Sequence, residues 1–417
     1  MHVSKMDIRK KGFSEYTSLE KAREITLSET EILEKEVVHF DDSLERVSAE
    51  EVVSKVDVPP FDRAAMDGFA VRAEDTFGAD ENTPKELEIV DSVKIGSSPT
   101  RGVESGEAAE IATGAPMPEG SDATVKFEET VREESKVNIL APVSPGKNVS
   151  PKGEDFEKGQ TVLQSGRRIR PSDVGILAFT KNLKIIVRKK PKVGIAMTGD
   201  ELKDVDTSLD PGEITEVNGY TLAHSIEKLG GEFERLGILP DDLEEIKGVL
   251  KGASDFDMMV FTGGSSVGEK DLVPLAIDEV GDLYFHGVGM RPGGPCAFGV
   301  VNETLVFSLP GFPAATLVAF ETLLKPVLRK MLGLPPLESD WKVRGVLDRK
   351  ISSSLGRVDV VRVELVREDG GYTVKPLRVT GSSVLKSISG ADGVVLVPEN
   401  KEGYSEGEKV DIRPIDL

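Results

Sequence analysis

Cysteine and histidine are scarce in this chain, and their scarcity excludes several kinds of site. Cys296 is the one cysteine among 417 residues, so the chain can form neither an internal disulfide nor a thiolate metal cluster. The four histidines lie at positions 2, 39, 224 and 286, without the spacing of metal ligands. A structural zinc is therefore not expected. Any metal must be held by carboxylates and water, which favours Mg²⁺.

Long hydrophobic runs are also missing. No apolar stretch reaches the ~20 residues that a membrane-spanning helix needs, and no apolar signal segment follows Met1. Hydrophobic residues still make up 38% of the chain, which is enough to fill real cores. We therefore expect a soluble, cytoplasmic protein without a membrane partner.

Positive charge is in deficit, because 52 Lys and Arg face 73 Asp and Glu, for a net charge of −21. Nucleic-acid binding rests mainly on Lys and Arg that neutralise phosphates, so a nucleic-acid partner is not expected. A local basic pocket for a small anion stays compatible with this balance, since net charge governs long-range effects and not the content of each cleft.

The length predicts about three domains, and the patterning changes along the chain accordingly. The first stretch favours helix, with capping-box spacing between Thr17 and Glu20. Short β-prone runs separated by Gly and Pro cover residues 70–145 and predict a small β-rich domain. The Gly-punctuated, basic segment 146–190 is expected to pack back on the N-terminal region, which would make the β-rich domain an insertion.

From residue 191 onward, apolar strands alternate with amphipathic helices. The segments KVGIAM, FERLGIL, FDMMVFT and LVFSLP are typical of buried strands. This alternation predicts a doubly wound, mostly parallel sheet that is covered on both faces. Beyond Pro335 and Pro336 the chain returns to short strands, with a hairpin signal at Glu368-Asp369-Gly370-Gly371. A small closed or sandwiched β domain is predicted there.

Three strand exits of the α/β region are rich in small and polar residues. They are Thr198–Glu201, Thr262–Asp271 and Pro310–Pro313. Ligands of parallel α/β sheets bind beyond the carboxyl ends of the strands, where glycines let backbone N–H groups approach an anion. The three loops together predict one site for a phosphorylated ligand beside a metal.

Two familiar nucleotide-binding motifs, G-x-G-x-x-G and G-x-x-x-x-G-K-[ST], are absent. Gly264–Gly268 does match G-x-S-x-G, the nucleophile elbow of serine hydrolases, in a strand-to-helix context with Ser266 as the nucleophile. A triad in hydrolase order needs a later acid and then a later histidine, and only His286 follows. A serine hydrolase is therefore kept as an alternative function.

Several Asp-centred segments lie upstream, and each alone is typical of a turn in which Asp caps its own backbone. Together with the strand exits they form eight ordered motifs: P-P-F-D-R-A-A-M-D-G-F-A-V, T-G-A-P-M-P-E-G-S-D-A-T-V, K-G-E-D, T-G-D-E-L, V-N-G-Y-T-L, T-G-G-S-S-V-G-E-K-D, M-R-P-G-G-P and L-P-G-F-P. In order and approximate spacing, the chain resembles the molybdopterin molybdenumtransferases, the MoeA family, which includes the E domain of gephyrin.

The resemblance implies molybdenum cofactor biosynthesis: Mg²⁺-dependent insertion of molybdate or tungstate into adenylylated molybdopterin, with release of AMP. It implies a homodimer whose active cleft lies between the α/β domain of one subunit and the N-terminal region of the other. A molybdopterin adenylyltransferase is a candidate protein partner. The implied domains are an elongated N-terminal region (1–50 and 146–185), an inserted β-rich domain (51–145), an α/β molybdopterin-binding domain (186–335) and a C-terminal β-barrel-like domain (336–417).

The resemblance also assigns roles to residues at the matching motifs. Asp67, Asp155, Glu201 and Asp271 are the implied catalytic residues. The carboxylates of Glu201, Asp242 and Asp271 would hold Mg²⁺ against the pyrophosphate. The implied substrate-binding residues comprise amides and hydroxyls for phosphate, a cation for the oxyanion and prolines for rigid walls; they are Thr113, Thr198, Gly263, Gly264, Ser265, Ser266, Arg291, Pro292, Pro310 and Pro313.

Three positions depart from the family's motifs. Gly294 stands where R/K-P-G-K-P has Lys, Ala64 where a Ser precedes Ala-Met-Asp-Gly, and Phe312 where L-P-G-N-P has Asn. These departures leave the choice between molybdate and tungstate open. A non-catalytic scaffold that retains the fold, as in receptor clustering by gephyrin, is the other alternative function, although the retained acids favour an enzyme.

Overall fold

The computed structural model describes residues 16–263, 271–337, 342–368, 370–377 and 389–415. The chain forms two compact units. The first contains the residues up to Glu36 and those from Arg188 onward, and the second is the continuous stretch Val37–Val187.

Helix α1 (Leu19–Ser28) opens the described part of the first unit, and its N-cap differs from the predicted one. The Ser18 hydroxyl accepts a hydrogen bond from the N–H of Lys21, so the predicted capping box of Thr17 and Glu20 is wrong by one residue. The backbone of Thr17 is instead paired with the segment around Val288, which leaves the next residue to cap the helix.

The second unit is rich in short strands, as the Gly- and Pro-punctuated sequence predicts. Its helix is α2 (Pro171–Phe179), and short 3₁₀ helices cover Phe40–Asp42, Ala73–Thr76 and Phe127–Glu129. The strands of this unit are β1 (Lys35–His39), β2 (Val52–Val53), β3 (Arg63–Ala64), β4 (Gly68–Val71), β5 (Lys85–Val93), β6 (Glu107–Ile111), β7 (Ala123–Lys126), β8 (Thr130–Glu133), β9 (Lys136–Ile139), β10 (Val149–Ser150), β11 (Thr161–Leu163) and β12 (Lys184–Arg188). Strands β1 and β12 extend past the first and last residues of the unit.

Six of these strands form the main sheet of the second unit, in the order β7-β4-β6-β5-β9-β8. All neighbours are antiparallel except β5 and β6, which are parallel. Side chains at alternate positions fill the core: Val137 and Ile139 of β9 are buried beside Phe69 and Leu87, while Lys136 is exposed. The alternation of apolar and polar residues therefore fixes which face of the sheet is buried.

The α/β region of the first unit follows the predicted alternation of strands and helices. A short 3₁₀ helix covers Ala253–Asp255, and π-helical Phe320–Leu324 joins the last two helices. The elements are β13 (Lys192–Thr198), β14 (Leu202–Lys203), β15 (Ile214–Thr215), α3 (Asn218–Lys228), β16 (Glu232–Leu239), α4 (Leu243–Lys251), β17 (Met258–Gly263), α5 (Leu272–Val280), β18 (Asp282–His286), β19 (Met290–Arg291), β20 (Ala297–Val301), β21 (Thr304–Leu309), α6 (Pro313–Ala319) and α7 (Lys325–Met331).

The sheet of this region has the order β16-β13-β17-β21-β20-β18. The first four strands are parallel, whereas β20 is antiparallel to both β21 and β18. The reversal follows from the two-residue connection Asn302-Glu303, in which both residues have positive φ (49° and 70°). Such a connection makes a tight hairpin and leaves no room for the crossover helix that a parallel neighbour requires.

Helices cover both faces of this sheet. Helices α1, α3, α6 and α7 lie on one face, and α4 and α5 on the other. Because successive side chains of a strand point to opposite faces, Ile195 packs into the first layer and Ala196 into the second. This double burial explains why the strand segments are continuously apolar.

The C-terminal region forms a closed barrel. Strand β24 pairs with β25 and β26, and the ring is completed through β22 and β28. Glu368 lies opposite Gly371, which confirms the predicted hairpin. The strands are β22 (Val343–Leu347), β23 (Ile351–Ser352), β24 (Val358–Glu368), β25 (Gly371–Pro376), β26 (Gly393–Val397), β27 (Gly403–Tyr404) and β28 (Lys409–Pro414).

The predicted fold class, a multidomain protein with a mostly parallel α/β domain and additional β domains, is confirmed by this architecture. The four domain boundaries remain predictions. In the part of the chain that the structure describes, no helix is long and apolar enough to cross a membrane.

Candidate functional site

The described parts of the predicted strand exits lie at one edge of the α/β sheet. Strands β13 and β17 end side by side, with Thr198 opposite Gly263. Gly263 has a φ of 141°, and a Cβ at this position would fall 1.9 Å from the carbonyl oxygen of Thr198. Only glycine allows this approach, so the glycine marks the close packing of two predicted substrate-binding residues.

Asn218 links the loop Pro310–Pro313 to the end of β17. At the start of α3, its Nδ2 atom donates hydrogen bonds to Thr262 Oγ1 (3.0 Å) and to the carbonyl oxygen of Gly311 (2.7 Å). The Thr262 hydroxyl in turn donates to the carbonyl oxygen of Pro310 (3.1 Å). Asn218 is absent from the predicted site residues, although the motif V-N-G-Y-T-L carried the signal. A buried amide here holds two loops in register.

A cavity of about 710 Å³ opens at this edge, against the C-terminal barrel. Pro313 begins α6 and is not among the lining residues, and neither is Thr198. The predicted residues that line the cavity are Gly263, Asp271, Arg291, Pro292 and Pro310. Other lining residues include Tyr16, Gly294, Phe312, Leu355, Arg357 and Arg362.

Two arginines of the cavity, Arg291 and Arg357, pair with the carboxylate of Asp359, and a third, Arg362, lines the same cavity. We call these four residues the arginine cluster. Arg291 Nη2 donates to Asp359 Oδ2, and Arg357 Nε lies 3.5 Å from Asp359 Oδ1. Asp359 is buried, and Arg362 is only 3% exposed. The cluster brings together three cations in a protein whose net charge is strongly negative.

Arg362 is the most deeply buried arginine of the cluster. Its Nε and Nη1 atoms are buried and have no hydrogen-bond partner within the described ranges. Burial lowers the pKa of Arg362, because the desolvated guanidinium is harder to charge. Buried donors of an arginine are normally satisfied, so the unused donors of this cavity-lining arginine indicate a place for an anion.

The motifs of the sequence do not identify Arg357 and Arg362 as site residues, because both lie in or beside an ordinary β-prone segment of the C-terminal region. The signal is a single charge inside an apolar run: Arg362 stands between Val361 and Val363 of β24, and all three are buried. A charge at a buried position of an apolar strand is a candidate for function.

Asp271 precedes α5, and its side chain makes no capping hydrogen bond. Its Oδ2 atom lies 3.2 Å from His286 Nε2. Its Oδ1 atom is buried without a hydrogen-bond partner in the described part of the chain. A carboxylate at the cavity wall therefore keeps one oxygen available for a ligand.

Cys296 lies close to Asp271 but offers no ligand. Its Sγ atom is 2.9 Å from the carbonyl oxygen of Gly293, and its side chain is fully buried. Burial, and then the Asp271 carboxylate, raise the pKa of the Cys296 thiol above its usual range. The thiol therefore stays protonated and is neither a thiolate ligand nor a nucleophile.

The three carboxylates predicted to hold Mg²⁺ are not assembled into one group. Asp242 caps α4, where its Oδ1 accepts hydrogen bonds from the N–H groups of Glu244 (2.9 Å) and Glu245 (3.1 Å). The exposed Glu201 folds back against Gly199. Across the described ranges, no three acidic, histidine or cysteine side chains form a metal-holding group. Of the predicted ligands, Asp271 alone has the unused buried oxygen that suits a metal.

The upstream motifs come together within the second unit. Asp67 Oδ1 accepts a hydrogen bond from the N–H of Thr113 (2.7 Å), and both residues are exposed. The N–H of Asp155 donates to the carbonyl oxygen of Val58 (2.9 Å), so the K-G-E-D segment lies beside the chain that leads to Asp67. Asp67 and Thr113 are thus in contact, and Asp155 lies in the same unit on a segment bonded to the chain that precedes Asp67.

The remaining predicted residues, Gly264, Ser265 and Ser266, lie outside the described residues. The nucleophile of the alternative hydrolase is among them.

Family models match most of the chain. The MoeA N-terminal region (domain I and II) matches residues 17–180, a probable molybdopterin binding domain matches 194–330, and the MoeA C-terminal region (domain IV) matches 344–415.

Curated relatives and solved structures agree with these models. A putative molybdopterin biosynthesis protein of Methanocaldococcus jannaschii is 39% identical over 386 residues, which cover 90% of this chain and 91% of the relative. A molybdopterin molybdenumtransferase of Staphylococcus aureus (strain COL) is 33% identical over 377 residues, covering 90% of each. The crystal structure of a molybdopterin biosynthesis MoeA protein from Pyrococcus horikoshii OT3 matches 96% of this chain and all of its own, at 34% identity and a TM-score of 0.83. As the ordered motifs predict, the chain belongs to the MoeA family of molybdopterin molybdenumtransferases.

Proposed function

We propose that this chain is a transferase that inserts molybdate or tungstate into adenylylated molybdopterin and releases AMP. The observation that carries the proposal is the arginine cluster beside the loop edge of the α/β sheet, within one cavity. The names of the relatives support it, because they are molybdopterin biosynthesis proteins and molybdenumtransferases. A single cavity thus offers a place for an oxyanion next to a place for a phosphorylated ligand.

The oxyanion binds at the arginine cluster in this proposal. Guanidinium groups match tetrahedral oxyanions because their N–H donors form a planar fork. Arg362 supplies two donors without a partner among the described residues, and Arg291 and Arg357, which pair with Asp359, each supply one more, their Nε. Gly294 adds no cation at the position where the family's motif has lysine, so Arg362 carries more of the binding here.

The phosphorylated end of the substrate binds at the strand exits. Gly263 exposes backbone at the cavity, and Pro292 and Pro310 give walls that lose little entropy on binding. When bound, Mg²⁺ would neutralise the pyrophosphate charge, and Asp271 is the residue that fits it. Mg²⁺ often keeps several waters and only one or two carboxylates, so one protein carboxylate is compatible with such a site.

Turnover tests the proposal directly. Purified protein is incubated with adenylylated molybdopterin, Mg²⁺ and either molybdate or tungstate, and AMP is quantified by chromatography. We expect AMP release that depends on the oxyanion, and the more effective oxyanion identifies the natural one. Protein that binds both substrates but releases no AMP would instead favour the scaffold function.

A homodimer is the second part of the proposal. Val53, Phe179 and Leu183 are 42%, 58% and 53% exposed, and they lie together because Asn182 Nδ2 donates to the carbonyl oxygen of Val53. An exposed apolar patch of this kind is typical of an association surface. In a dimer, Asp67, Thr113 and Asp155 of one subunit would complete the cavity of the other.

Sedimentation should therefore show about twice 45.0 kDa at micromolar protein. Phe179→Glu together with Leu183→Glu should give a folded monomer, because two buried charges at an interface cost more than a dimer of ordinary size can supply. Phe77→Glu is the control, since Phe77 is 54% exposed but lies outside the patch. A parent protein that is a monomer and still turns over would contradict the shared cavity.

A serine hydrolase is not proposed. The contact between Asp271 and His286 would supply the acid and the histidine of a triad, and the order Ser266, Asp271, His286 fits such enzymes. Family membership, however, accounts for the whole loop without a nucleophile. The cytoplasmic location and the adenylyltransferase partner remain predictions from the sequence.

A further inference from the structure

Asp359 occupies a distinctive position behind the cavity wall. Strand β19 runs parallel to β24, with Arg291 opposite Asp359, so the M-R-P-G-G-P motif of the α/β region is joined to the barrel. The Asp359 carboxylate contacts Arg291 through one oxygen and Arg357 through the other. Asp359 is buried and is not among the cavity-lining residues, so it acts on a ligand only through the arginines.

We propose that Asp359 is a positioning residue that sets the charge selectivity of the oxyanion pocket. The arginine cluster holds three guanidiniums and one carboxylate, so its charge is 3 − 1 = +2. This inference rests on the proposed function, because it assumes that the oxyanion binds at the cluster. It adds that Asp359 limits how strongly the pocket prefers a doubly charged anion over a singly charged one.

The effect of the Asp359 charge can be distinguished from a purely structural effect, in which the carboxylate only holds the arginines in place. Loss of a clamp lets Arg291 and Arg357 move, which weakens all tetrahedral oxyanions by a similar factor. Loss of the negative charge raises the positive potential of the pocket, and a dianion gains twice as much from that potential as a monoanion. The ratio of the two affinities therefore reports the charge of Asp359, while the loss common to both anions reports its positioning.

The test compares sodium molybdate with sodium perrhenate by isothermal titration calorimetry at pH 7.5 and fixed ionic strength. Both anions are tetrahedral and similar in size, but molybdate carries two charges and perrhenate one. In Asp359→Asn, which keeps the shape of the side chain, the affinity ratio of molybdate to perrhenate should rise about tenfold, as expected for one unit charge acting on one additional charge. In Asp359→Glu, which keeps the charge, the ratio should stay near that of the parent.

A second pair of variants keeps the test possible if Asp359→Asn does not fold because its three arginines repel one another. Arg357→Gln lowers the cluster charge to +1, and Arg357→Gln with Asp359→Asn restores it to +2. The ratio should be about tenfold higher in the double variant than in Arg357→Gln.

Equal ratios in these pairs would overturn the charge role of Asp359 even if the parent protein binds molybdate and turns over. If the parent protein binds neither anion, the oxyanion site of the proposed function is wrong, and the charge role falls with it. The two failures are therefore distinguishable.

Discussion

Methionine in place of Arg362 should make the ligand-free protein more stable and should strongly weaken oxyanion binding. Arg362 is 3% exposed, and two of its guanidinium donors are buried without a partner among the described residues. Its lowered pKa shows that the folded environment disfavours the charge, and this cost is present at every pH at which arginine is charged in the unfolded chain. Replacement of such a group by a well-packed apolar side chain should raise the free energy of unfolding by about 1–3 kcal/mol.

The effect on binding should have the opposite sign. Two hydrogen bonds to a charged group contribute about 1.5–3 kcal/mol each, so the affinity for molybdate should fall by about 100-fold or more. Denaturant titration measures the first quantity and calorimetry the second. Arg367→Met is the matched control, because Arg367 lies on the same strand but is exposed, and it should change neither. A less stable Arg362→Met protein that still binds molybdate would show that this arginine serves only the fold.

The sequence predicts the α/β region well because its local pattern matches the final packing. Strands such as FDMMVFT are apolar at every position, and the structure buries both faces of this sheet. The reversal of β20 was harder to predict, because it depends on positive φ at Asn302 and Glu303. Nothing in the composition of these two residues distinguishes such a turn from a short loop, apart from the tolerance of asparagine for this conformation.

The two parts of the cavity, the strand exits and the arginine cluster, also differ in how well the sequence predicts them. The strand exits could be predicted, since the carboxyl ends of parallel strands always meet at one edge. The arginine cluster could not, because it forms only when the barrel closes and β24 pairs with β19. Arg291 and Arg362 are 71 positions apart in the numbering, and no local period relates them. Asp242 caps the helix that follows it, which accounts for its carboxylate without a metal, and its assignment as a metal ligand stays a prediction.

Asparagine in place of Asp271 should cause near-complete loss of AMP release without loss of the fold. The Asp271 side chain makes no capping hydrogen bond, and asparagine occupies N-cap positions about as well as aspartate. Asparagine also keeps a hydrogen-bonding group beside His286. What it loses is the negative charge of a carboxylate that lines the cavity and keeps one buried oxygen without a partner among the described residues. The rate should fall by more than about 100-fold, since even the outer partners of a metal site can cost that much.

Asp242→Asn provides the matched control, because it makes the same change at the N-terminus of α4, where the carboxylate is already used by two backbone N–H groups. It should release AMP at close to the parent rate. Binding of adenylylated molybdopterin, measured in the absence of oxyanion, should persist in Asp271→Asn, because Gly263 and the proline walls remain. If Asp271→Asn releases AMP at the parent rate in saturating Mg²⁺, Asp271 does not hold the metal. Equal losses in the two variants would instead return Asp242 to the set of metal ligands.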